Sequence, residues 1–397
     1  MKKILVKELY TGNRHESNKV IVFSDKIEAI LNPQDAASLD AKELPEARIM
    51  TPGFIDIHIH GGGGADTMDG TPEALDKITE VLPRSGCTSF LATTMTQKVE
   101  VIERALENVK TYRAGQREQI KALAENPEST KFRAGAEILG VHLEGPFISP
   151  KKCGAQDPQF ILKPNRETTR FLEPFMDLVK LITVAPEEDD DYSMIRAWSQ
   201  AGIVCSMGHT NCTFEEANGA FMAGLSHVTH CFNAMTPLHH REPGAVGAAL
   251  TLPLTTEMIV DGEHLHPQVV RLICNVKKPW ERVLVTDAMR AAGLGNCESE
   301  LGGQKVIVKD GRATLEGGVL AGSVLDLNTA LKNTMLFTGL PLIEIIEMLT
   351  VNPARILGVN ERKGEIKAGF DADLVILNEH LAVERSFVHG QMAYSLD

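Results

Sequence analysis

The chain has 397 residues, room for a barrel of about 250–300 residues plus a modest accessory unit. A composition of 43% hydrophobic and 23% charged residues is that of a soluble globular protein and excludes a disordered one. A net charge of −13 argues against a nucleic-acid or anionic-membrane surface, because those need a basic footprint; an anionic substrate would need a local basic pocket.

From the amino terminus, MKKILVKELY sets two lysines before a short apolar stretch that Lys7 and Glu8 interrupt, too short for a signal-peptide core. No run approaches transmembrane length, so the expected location is the cytoplasm. Residues 1–53 continue with short alternating segments, KILVKELY and KVIVFSDKIEAIL, that predict small antiparallel strands. From Gly364 onward the texture returns in GEIKAGFDADLVILNEH and ERSFVHGQMAYSL. The expectation is one small β-sandwich domain built from both ends, residues 1–53 with 359–397.

Between them, over 54–358, apolar runs alternate with helical stretches, the pattern of repeated βα units. The runs are FIDIHIH (54–60), SFLATT (89–94), ILGVHLE (138–144), LITVAPE (181–187), IVCSMGH (203–209), HVTHCF (227–232), TEMIVDG (256–262) and RVLVTDA (282–288). Eight parallel strands close a (β/α)₈ TIM-type barrel, so the predicted class is α/β. The gap 95–137 holds charged helical sequence, and a β-rich excursion, GGQKVIVKDGRATLEGG, follows the eighth run. Seven scattered cysteines without a C-x-x-C pair indicate neither a zinc knuckle nor a disulfide framework.

The polar residues of these runs gather at their carboxyl ends. His58 and His60 are two apart, so strand parity puts them on one face with Phe54 and Asp56. Taken alone, H-x-H is a weak signal. Glu144 closes the third run on the face of His142, His209 ends the fifth on the face of Met207, His230 lies near the end of the sixth and Asp287 near the end of the eighth. The carboxyl ends of a closed parallel barrel form one ring, so these residues should converge. Imidazoles and carboxylates without thiolate suit Zn²⁺, Fe²⁺, Mn²⁺ or Co²⁺, and such a cation acidifies bound water. Asp287 is placed to take that water's proton. No phosphate loop, dinucleotide fingerprint or G-x-S-x-G elbow competes.

Taken together, TPGFIDIHIHGGGGADTMD, GVHLEGPFISPKKCGAQDP, SMGHTNCTFEEA, THCFNAMTPLHHREPGAVGAAL, VDGEHLHP, LVTDAMRAAGL and LAGSVLDLNTAL closely resemble the N-acetylglucosamine-6-phosphate deacetylase family of the amidohydrolase superfamily. The resemblance implies that Glu144, His209 and His230 bind the catalytic metal and that Asp287 is the acid/base; some members lack the first histidine of H-x-H and hold one metal, whereas this chain has both His58 and His60, which leaves room for a second metal bridged by Glu144. One or two divalent ions are therefore expected, zinc foremost, with iron, manganese, cobalt or nickel as alternatives. Sugar-phosphate contacts are implied for Asn233, Ala234, Arg241, Asp261 and His264, and sugar and acetyl contacts for Ala155, Gln156, Leu320, Ala321 and Gly322. Gln156 stands where some members have histidine. The implied reaction cleaves N-acetylglucosamine 6-phosphate to glucosamine 6-phosphate and acetate. The alternatives are the galacto epimer, another amide substrate, or a barrel that serves only as a scaffold. The implied assembly is a homodimer.

Overall fold

Eight short strands follow the apolar runs in order: Phe54–Ile59, Cys87–Thr93, Glu137–Glu144, Val179–Val184, Val204–Met207, Leu225–Val228, Thr255–Ile259 and Arg282–Val285. These belong to a computed structural model that describes residues 1–125 and 133–396. Each strand pairs in parallel with the next. The eighth then returns to the first: Asp287 N–H donates to the His58 carbonyl at 2.8 Å, and the His60 and Gly61 N–H groups reach the Ala288 carbonyl at 2.9 and 3.0 Å. The sheet thus closes with no free edge for another chain to extend. Helices cover the outside, so strand residues on both faces are buried and the runs read as continuously apolar.

The helices start where local chemistry allows. Thr71 accepts the Ala74 N–H ahead of the helix Pro72–Val81, whose first residue is a proline that has no N–H to satisfy. Thr213 and Glu216 form a capping box before Phe214–Ala223. The charged stretch after residue 95 is the helix Val99–Glu125. Among the described residues no helix is long and apolar enough to cross a membrane.

Both chain ends enter one eight-stranded sheet, in which Ala47–Pro52 pairs in parallel with Lys2–Tyr10 and antiparallel with Leu374–Leu377. Phe23 and Phe387 lie four strands apart in that sheet, roughly 19 Å at the usual spacing of about 4.8 Å. Their rings nevertheless meet edge-to-face with centroids 5.5 Å apart. The sheet therefore folds over on itself as a sandwich, and Ile4, Ile21, Met50, Leu374 and Ile376 fill the space between its halves.

Beneath the barrel, Glu137 at the start of the third barrel strand accepts from Arg362 at 2.7 Å, Lys363 at 2.8 Å and His389 at 3.0 Å. Asp371 and Asp373 complete this buried cluster by pairing with Lys363. At the other end, the excursion after the eighth strand forms a three-stranded antiparallel sheet over Cys297–Leu301, Gln304–Lys309 and Arg312–Leu315. It packs Leu301, Val306 and Val308 against Met95 and Met289, and Gln304 donates to the Ala155 carbonyl at 2.6 Å. That small sheet makes one wall of the barrel mouth.

Candidate active site

Two strand-parity expectations need correction. The fifth, sixth and eighth strands stop at Met207, Val228 and Val285, so His209, His230 and Asp287 lie just beyond them in left-handed backbone, with φ of 46°, 28° and 50°. Alternation along a strand does not aim these side chains; tight turns do. Non-glycine residues pay about 1 kcal/mol or more in that region, and such strain concentrates at functional sites. The second correction is Asp56. It does not share the mouth with His58 and His60, because pairing with the second strand shifts register between Asp56 and Ile59. Asp56 turns instead to the Thr286 hydroxyl, 2.6 Å away, and lines a separate cavity of about 240 Å³. Burial pushes its carboxyl up to about 7.

The remaining residues converge. Glu144 Oε1 lies 3.1 Å from both His209 Nε2 and His230 Nε2, and those two nitrogens are 3.0 Å apart. The Nδ1–H of His209 donates to the Lys152 carbonyl at 2.9 Å, which leaves the Nε2 lone pair pointing inward. Three lone-pair donors in a triangle of about 3 Å have their centre roughly 1.8 Å from each, within reach of the about 2.0–2.2 Å bonds that imidazole and carboxylate make to zinc. The donor set therefore fits a divalent cation. Beside it, His60 Nε2 lies 3.2 Å from Glu144 Oε2 and 3.2 Å from Asp287 Oδ1. His58 Nε2 stands 3.4 Å from Glu144 Oε1 and 3.5 Å from Asp287 Oδ1, buried and without a hydrogen-bond partner. Glu144 thus faces both groups of histidines.

These buried charges set one another's protonation. Burial alone would push the Glu144 and Asp287 carboxyls up, but the surrounding imidazoles, His58 first, hold both below the ordinary carboxylate range. Burial would likewise lower His60, yet Asp287 and Glu144 push it up to about 10. A cation and protons compete for the same lone pairs here.

A cavity of about 390 Å³ opens over this centre, lined by His60, Glu144, His209, His230 and Asp287 and by Ala155, Gln156, Asn233, Ala234, His264, Leu320 and Gly322. Gln156 is locked: its carbonyl accepts the Thr96 N–H at 2.7 Å and its amide donates to Glu144 Oε2 at 2.8 Å. Asp261 lies behind the wall, gripping His264 Nδ1 at 2.6 Å. Although burial lowers His264, that carboxylate raises its affinity for a proton. Besides Asp261, two further expected contacts do not line the cavity. Ala321 is fully buried beside the cavity without lining it, and Arg241 is exposed on its loop, donating to His240 at 2.7 Å.

Residues 49–392 match the amidohydrolase family. The chain belongs to that family. This amidohydrolase is 38% identical, over 98% of its length and 97% of the relative's, to the N-acetylglucosamine-6-phosphate deacetylase of Bacillus subtilis (strain 168). It is 36% identical, over 88% of both chains, to the N-acetylgalactosamine-6-phosphate deacetylase of Escherichia coli O157:H7. Among solved structures, the N-acetylglucosamine-6-phosphate deacetylase of Pasteurella multocida superposes with a TM-score of 0.89 at 30% identity, covering 98% of this chain and 99% of that one. A mutant of the Mycobacterium smegmatis enzyme in complex with N-acetyl-D-glucosamine-6-phosphate gives 0.88 at 30% identity and 99% coverage of both.

Sequence reasoning about this amidohydrolase passed over several residues. Lys151 and Lys152 line the cavity and give an acidic protein the local positive charge an anion would need; they were visible as a pair within SPKKCGA. His142 sits directly below His58, rings 4.5 Å apart. Glu257, buried in the middle of the seventh strand, accepts from His58 Nδ1 at 2.9 Å. Its only signal was a carboxylate inside an apolar run.

Proposed function

We infer that this amidohydrolase is a metal-dependent deacetylase that hydrolyses N-acetyl-D-glucosamine 6-phosphate to D-glucosamine 6-phosphate and acetate, breaking a linear amide C–N bond in amino-sugar catabolism or recycling. The observation that carries the reading is the meeting of Glu144, His209 and His230 donor atoms within about 3 Å on the floor of a cavity whose wall bears His264, Lys151 and Lys152. Deacetylases at 30–38% identity support it along the whole chain.

In this reading Glu144, His209 and His230 would hold one divalent cation, and His58 and His60 with Glu144 and Asp287 would hold a second; zinc suits the donors. When bound, the cation supplies a Lewis acid and an acidified water. Asp287, kept ionised by His58 and His60, accepts a proton and returns it to the sugar nitrogen as the amide bond breaks. The Gln156 amide, oriented by Thr96, offers a proton to the acetyl oxygen. By resemblance we assign the phosphate end to His264, Asn233 and the Ala234 backbone and the sugar to Leu320, Gly322 and Ala155, all of which line the cavity. Asp261 sets the His264 ring; Arg241 and Ala321, which do not line the cavity, keep their contacts only as what the resemblance implies.

The Escherichia coli relative's name favours keeping the galacto epimer as the second reading. Acetate release from both epimers, with and without the 6-phosphate, tests the assignment; a purified, metal-replete protein that releases acetate from neither overturns it. By resemblance we also assign a homodimer and a cytoplasmic location, and we take residues 1–53 with 359–397 as a domain separate from the barrel of 54–358. Sedimentation and limited proteolysis check the dimer and the boundary.

A further inference from the structure

We propose that Glu257 is the positioning residue of this site, orienting His58 for the second cation and tying it to the His230 turn; this rests on the metal-dependent reading above. Glu257 lies in the seventh barrel strand with its side chain wholly buried. Its Oε2 takes two donors, His58 Nδ1–H at 2.9 Å and the His230 backbone N–H at 2.9 Å. Its Oε1 takes His227 Nε2–H at 3.1 Å, and its backbone carbonyl takes the Cys231 N–H at 3.1 Å. One residue therefore fixes the first strand's histidine and both backbone groups of the left-handed turn that presents His230.

The chemistry follows from the acceptor. A carboxylate only accepts, so Nδ1 of His58 carries a proton and Nε2 is the nitrogen left to meet a cation. Nε2 stands 3.4 Å from Glu144 Oε1 and 3.5 Å from Asp287 Oδ1, beside the carboxylates that would share the cation. A carboxylate on the far nitrogen of a ligating imidazole fixes the ring and increases its donor strength. His227, held in turn by the Thr255 hydroxyl at 2.5 Å, keeps Glu257 from rotating away. Glu257 itself does not line the cavity; it acts through His58 and through the backbone of His230.

The test uses Glu257→Gln. The amide oxygen can replace Oε2, keeping the His58 and His230 bonds, while the negative charge is lost and the NH₂ turns to His227, which can switch tautomer. Expected are a native circular-dichroism spectrum, zinc affinity by chelator competition about 10–100-fold weaker for the more weakly held ion, and a lowered kcat with KM within about twofold. In a His58→Ala background the same change should alter zinc affinity and kcat less than about twofold, because the pathway is already gone. Undiminished affinity in Glu257→Gln, or an equal loss in both backgrounds, overturns the proposal. Should the variant not fold, nitrogen-15 imidazole spectra of the zinc-loaded wild type decide: a His58 proton at Nδ1 sustains the proposal and one at Nε2 ends it. Wild-type protein with neither zinc nor deacetylase activity defeats the functional reading itself, whereas an active, zinc-loaded wild type with indifferent Glu257 variants defeats only this inference.

Discussion

Replacing Asp287 with Asn exchanges one oxygen for NH₂ and leaves the backbone undisturbed. Asn tolerates left-handed backbone as well as any non-glycine residue, so the φ of 50° is kept. The main-chain bonds that hold the turn, Asp287 N–H to His58 and Ser323 N–H to the Asp287 carbonyl, both at 2.8 Å, are untouched. Glu144, His209 and His230 still meet, so at least one equivalent of metal should remain. What disappears is the one carboxylate in the site that is not held by both histidine groups and is therefore available to accept a proton. Loss of a positioned acid/base lowers the rate about 10²–10⁴-fold, equivalent to roughly 2.7–5.4 kcal/mol in the barrier. Steady-state acetate release, with metal content measured on the same sample, reads this directly: kcat should fall by that factor while KM stays within a few-fold. A variant that keeps its metal and turns over within about tenfold of the wild type would refute Asp287 as the proton carrier.

Dialysis against a chelator should abolish acetate release while the far-ultraviolet circular dichroism persists, because the barrel closes through main-chain bonds, and added Zn²⁺ should restore activity. His264→Ala should raise KM for the 6-phosphate substrate about 10–100-fold, the range expected for losing a charge-assisted bond of about 1.5–3 kcal/mol, yet change turnover of unphosphorylated N-acetylglucosamine much less; equal effects on both would remove His264 from the phosphate end. Lys363→Met leaves Glu137, Asp371 and Asp373 buried without their shared cation and should cost about 3–5 kcal/mol in denaturant unfolding. The same cluster sets an acid limit. Burial would raise Glu137, but Lys363, His389 and Arg362 hold it well below 4.5, so its stabilisation is complete above the unfolded value near 4.5 and is lost as pH falls through that value toward the folded one. Unfolding midpoints measured between pH 7 and pH 3 should therefore drop below about pH 4.5, and should drop less in Lys363→Met.

Much of the site was legible because strand periodicity is local. The spacing of His58 and His60, the carboxylate closing the third run, and the polar residues at the ends of the fifth, sixth and eighth runs each needed only neighbouring residues to be noticed, and motif similarity added Gln156, Asn233 and His264. Glu257 was not legible. It lies 199 positions from His58, and a carboxylate inside TEMIVDG has no assigned partner until the barrel closes. The turns at His209, His230 and Asp287 escaped for the same reason: where a strand ends depends on its neighbours' hydrogen bonds, and HVTHCF reads as strand well past Val228.

Apolar runs and the helical stretches between them are properties of consecutive side chains, so the eight strands, their order and the residue types at the barrel mouth follow from sequence alone. Closure is not such a property. Which side chains meet, that Asp56 turns out of the mouth toward Thr286, that Arg241 stays outside the cavity, and that Glu257 grips His58 are decided by hydrogen bonds and burial between segments far apart in the chain, which exist only once the first and eighth strands have joined.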